Sequence, residues 1–192
     1  MSNQFKAPFP AREGAAIAPV EDAKSPSVKA GVAYWTMLKK ARRFPARAEL
    51  TLRGMASFLP CSVIVSVIDD GADFEFRYVG DAQRQAFRSY FKGLRIKQIE
   101  AAAPELGALL RSVYEPVRSN GVPFLVRGRL GQDGDDPRFR FHETAFLPLG
   151  TDDTAVDHLL VVGVQVPDPF WQFTDEKLKD LAQQTGMPAP IG

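Results

Sequence analysis

The run Ser62-Val63-Ile64-Val65-Ser66-Val67-Ile68 constrains this chain more than any other feature. Side chains branched at Cβ are stiff at χ1 and suit a pleated, packed surface better than a helix. The run therefore reads as a largely buried strand. Asp69-Asp70-Gly71 follows as a turn, and Phe74, Phe76 and Tyr78 then alternate along a second strand. A hairpin like this must bury one face against other elements.

The rest of the chain supplies those elements. Met1 to Lys24 is rich in Pro and Ala and reads as a flexible arm, with Pro8, Pro10 and Pro19 blocking regular pairing. Ser25 or Ser27 can cap a helix with Pro26 in its first turn, and Val28, Val32, Trp35 and Leu38 then form one apolar stripe. A shorter helix is expected from Thr51 to Phe58. After the hairpin, Gly80-Asp81 opens a short helix carrying Phe87. Pro104 to Asn120 reads as a long helix, apolar at Leu106, Leu109, Leu110, Val113 and Val117, with Gly121 past its end. Pro116 inside it predicts a kink or break. Strands follow over Val122 to Leu130, Phe139 to Leu149 and His158 to Val166, and Thr174 can cap a short helix through Gln184. Hairpin-linked strands imply an antiparallel sheet with helices gathered on one face, an α+β architecture. The organisation is then an arm (1–24), flanking helices (25–60), a core (61–166) and a C-terminal helix and tail (167–192).

Bulk properties narrow the function. A chain of 192 residues buries about two thirds of its unfolded surface and needs no disulfide or metal to hold it. Cys61 is the single cysteine, which excludes an internal disulfide and a multi-cysteine zinc site and points to a reducing compartment. A net charge of +1 argues against nucleic acid as a partner. No apolar run reaches the roughly 20 residues that span a bilayer, and the N-terminus lacks a secretory core, so a cytoplasmic location is expected.

Three motifs carry a family resemblance. Trp35, Arg43-Phe44-Pro45-Ala46-Arg47 and Phe58-Leu59-Pro60 come first. Phe76-Arg77-Tyr78-Val79-Gly80 lies on the second strand, and Glu143 with Leu147-Pro148-Leu149 on the fourth. In this order they resemble a bacterial family of stand-alone PAS-like proteins, over roughly residues 34–166. Asp81 departs from the small hydroxyl residue common after that glycine. The resemblance implies a five-stranded antiparallel sheet covered by short helices, and a sensory or protein-contact role without a set ligand. The concavity under such helices can enclose a small molecule. Phe76, Tyr78, Phe87, Tyr114 and Phe124 are the candidate lining residues.

Other chemistries fare less well. Arg43 and Arg47 resemble an arginine pair that clamps cyclic dinucleotides, but the Asp/Asn-x-Ser-x-x-Gly element of such domains is missing. His142 and His158 fall outside helices, where an axial haem ligand is not expected, and two histidines make no zinc site. Cys61 lies outside any flavin-adduct motif. Asp133, Asp135 and Asp136 lack the closing Glu of a calcium loop. Tyr78, Tyr114 and Glu143 could serve an isomerase, although nothing in their spacing favours one, and Arg77 and Glu143 could pair across the sheet.

The reading is a non-catalytic PAS-type sensory or regulatory module with no cofactor or metal. It would bind a small molecule, a signalling protein or both. The alternative is a ligand-free domain that docks or forms a homodimer through Val28, Val32, Trp35 and Leu38.

Overall fold

A computed structural model describes residues 15–87, 91–130 and 139–167. The expected C-terminal helix and the acidic loop at 131–137 lie outside the described residues. Six strands form one antiparallel sheet in the order β1-β4-β5-β6-β2-β3, and with the helices they make an α+β fold. The strands are β1 (Ala15–Ala18), β2 (Ser62–Ile68), β3 (Asp73–Val79), β4 (Phe124–Leu130), β5 (Phe139–Leu149) and β6 (His158–Pro167). The helices are α1 (Pro26–Lys39), α2 (Leu52–Met55), α3 (Asp81–Phe87), α4 (Ile96–Ala102) and α5 (Pro104–Asn120).

The expected hairpin forms at one edge of the sheet. β2 pairs with β3 on one side and β6 on the other, so its β-branched residues are covered along most of its length. The turn uses positive φ at Asp69, Asp70 and Gly71, which short polar residues and glycine tolerate. At the far edge, β1 pairs with β4. Residues 15–18 are therefore part of the sheet rather than of a flexible arm. Ala15-Ala16-Ile17-Ala18 carries little strand signal of its own; the open edge of β4 supplies its partners.

Cross-strand pairing sorts the side chains onto two faces. Phe124, Phe146, Val161 and Val63 form one connected row, and Leu125, Ala145, Val162 and Ser62 form the next, on the opposite face. α5 crosses the first face, with α4 packed against it and against β3. Asp73 holds α4 in place by accepting from Lys97 N. α5 runs through Pro116 as one helix. The carbonyl that loses its bond belongs to exposed Ser112, where water can satisfy it.

α1 lies on the second face, so helices cover both sides of the sheet rather than one. The absence of a side chain at Gly31 lets the helix approach: a Cβ there would stand 2.7 Å from Val162 Cγ2. Val28 and Trp35 are buried beneath the helix, and Trp35 Nε1 donates to Pro148 O at 2.7 Å. The stripe, which the sequence leaves free to contact a second chain or the sheet of its own, is engaged within its own chain, with Val32 and Leu38 packed at the margin of the same core. The start of α1 is fixed by Glu143. Its fully buried carboxylate accepts from the amides of Lys24 (2.9 Å) and Ser25 (2.6 Å) and from Arg127 Nε (2.9 Å).

Candidate functional site

The first face of the sheet and the helices above it leave a cavity of about 200 Å³ between them. Its floor is the inward row of Val63, Val161 and Phe146, flanked by Phe76 and Val79 toward β3 and by Val126 and Ile17 toward β1. Its roof is α5. Leu106, Leu109, Leu110 and Val113 return to one helix face at intervals of three and four residues. Phe87 from α3 and Phe91 beyond it complete the aromatic wall.

Most of this lining is apolar, and among the described residues no Lys, Arg, Asp or Glu contributes to it. The polar side chains are therefore informative. His142 and Thr144 lie on the inward positions of β5, and Gln165 sits opposite His142 on β6. Gly163, opposite Thr144, lets these side chains close over it: a Cβ there would stand 2.8 Å from Thr144 Oγ1 and 2.9 Å from Gln165 Nε2. Behind the glycine, buried Gln83 donates from Nε2 to Gly163 O and to Cys61 O, tying α3 to β6 and β2.

His142 is 5% exposed, and its Nε2 has no hydrogen-bond partner among the described residues. Burial lowers its pKa from 6.5 to about 4, so the ring is neutral at neutral pH. Burial also pushes the Tyr114 hydroxyl well above its ordinary value, keeping it protonated. The cavity is thus an uncharged apolar chamber with a cluster of neutral hydrogen-bonding groups at one side.

Phe76, Phe87 and Tyr114 line this cavity, as drawn from the sequence. Tyr78 and Phe124 do not. Val65 pairs with Phe76 but Ile64 with Tyr78, so an extra residue in β3 breaks the alternation and turns Tyr78 to the other face. There its hydroxyl donates to Leu59 O at 3.2 Å. Phe124 shares the inner face but stacks behind Phe146, with ring centroids 5.1 Å apart.

The other candidates have different occupations. Arg77 pairs with Glu75 rather than Glu143, because β6 and β2 lie between their two strands. Glu143 instead meets Arg127 on neighbouring β4. Burial raises the Glu143 pKa, but the Ser25 and Lys24 amides and the Arg127 guanidinium outweigh this and hold it below the ordinary value. Arg43 donates to Asn120 O at the end of α5. His158 bonds Asp157 through Nδ1, outside the cavity. Tyr114 faces the cavity, while Tyr78 and Glu143 are on the opposite face, so the three do not converge.

His142, Thr144 and Gln165 had only a weak signal in the sequence: His142 and Thr144 are two apart on one strand but with polar Glu143 between them, and Gln165 stands alone among apolar residues of another. Reading it required knowing which face is enclosed. Among the described residues no group of His, Cys, Asp and Glu could hold a metal ion, and no helix is long and apolar enough to cross a membrane. No family model, curated protein or solved structure matches this chain.

Proposed function

We propose that this chain is a non-catalytic PAS-type sensory or regulatory module that takes a small molecule into the cavity between β2–β6 and α3–α5. The cavity is the observation that carries this reading. Apolar walls with a few polar groups are characteristic of a ligand site, and a volume of about 200 Å³ limits the occupant to a small molecule. An engineered apolar cavity of about 150 Å³ accepts benzene, which sets the scale of the occupant. From β2 onward, the order of two strands, three helices and three strands also supports the reading, with β1 added as a sixth strand at the edge of β4. So does the packing of the resembling motifs: Trp35 bonds Pro148, and Gly150 N donates to Pro45 O. Output would pass by contact with a signalling protein.

A thermal-shift panel of small uncharged metabolites tests the proposal. A compound present at about 100 times its Kd stabilises by about 2.7 kcal/mol, roughly 5–10 °C in a domain of this size. Val113→Phe, which projects a larger ring from the roof, is expected to abolish that shift while leaving the apo protein folded. A shift that persists undiminished in the variant would place the ligand elsewhere. A panel without any response would count against sensing.

A further inference from the structure

Resting on the cavity as the binding site, we infer that the ligand is an uncharged molecule with an apolar body and one hydrogen-bonding head, seated against His142, Thr144 and Gln165. Three observations define that chemistry. Among the described residues the cavity lining has no charged side chain, so an ionised ligand would meet no counter-charge from them. Next, His142 is almost completely buried and its Nε2 is unpartnered among the described residues, a cost that a native fold rarely carries without use. Finally, the missing side chain at Gly163 lets Thr144 and Gln165 close over it: a Cβ there would stand 2.8 Å from Thr144 Oγ1 and 2.9 Å from Gln165 Nε2, so the glycine draws their polar atoms together. These groups converge from two adjacent strands, since His142 pairs with Gln165 and Thr144 with Gly163.

The three groups suit a hydroxyl. A hydroxyl both donates and accepts, so it can satisfy His142 in either tautomer and still reach the Thr144 hydroxyl or the Gln165 amide. A hydrocarbon of the same shape would dry the corner and leave His142 unpaired. A carboxylate would bring a charge that nothing in the lining offsets.

The test uses p-cresol and toluene, which differ by one hydroxyl, and benzoate, a ring of similar size that carries a charge. Calorimetry on the full chain is expected to give p-cresol about tenfold tighter binding than toluene, a preference of the size one buried hydrogen bond supports. Benzoate is expected to bind more weakly than p-cresol. His142→Leu should remove the preference for p-cresol. Thr144→Val, which keeps side-chain shape, should reduce it and provides the test if His142→Leu fails to fold. Equal binding of p-cresol and toluene, a preference unchanged in both variants, or benzoate binding as tightly as p-cresol would overturn the neutral-head assignment while leaving the cavity as a ligand site. If none of the three binds at millimolar concentration, the cavity reading itself fails, and this inference with it.

Discussion

His142 and Glu143 are neighbours in sequence and face opposite sides of one strand, and their environments push them toward opposite charge states. Glu143 is ionised and held by two backbone amides and Arg127 at the start of α1. His142 is neutral beside a cavity. The histidine makes a pH prediction whose sign follows from its lowered pKa. Below pH 6.5 the unfolded chain takes up a proton that the folded chain does not, so stability falls as the pH drops from 6.5 toward 4. The loss is roughly 3 kcal/mol at most, and it levels off for this group below pH 4. Urea unfolding at a series of pH values should show this slope in the native chain and a flatter profile in His142→Leu. An identical slope in the variant would show that His142 is not the group responsible.

At the scale of elements, the contact of α1 with the sheet distinguishes a helix packed on its own chain from one that awaits a partner. Gly31 permits that contact, with Val162 directly beneath. Gly31→Leu should destabilise by about 2–3 kcal/mol through overpacking, and Val162→Ala in the same chain should recover part of it. Denaturant midpoints of the two single variants and the double variant measure the coupling; additive effects within about 0.5 kcal/mol would contradict the contact. β2 and α5 were legible in the sequence because β-branched density and helix-end signals are local properties, and both ranges were read directly. β1 was not, since Ala-Ala-Ile-Ala becomes a strand only through the edge of distant β4. The stripe on α1 was legible as apolar, but a stripe does not state which surface covers it. The floor of the cavity was read in part: Phe76 followed from alternation, and Tyr78 was misplaced because the irregularity between Phe76 and Tyr78 leaves no mark in composition.

At the scale of the molecule, one sheet carries two different layers. On one face α1 packs directly, with Gly31 against Val162 and a partly buried ion pair at the helix start. On the other, α3–α5 leave a partly open space with no charged side chain among its described lining residues. The sheet between them is shared, and adjacent residues of β5 face the cavity and the foot of α1. This arrangement places the cavity and α1 on opposite sides of a single strand. Its central claim is that the space is occupied by a small molecule, and native mass spectrometry of the purified full chain against its denatured mass tests it most directly. The account predicts a folded species heavier than the denatured chain by one small uncharged ligand, or one that takes up p-cresol when offered it, with the added mass lost in Val113→Phe. A folded species at the bare chain mass that takes up nothing, p-cresol included, would contradict it.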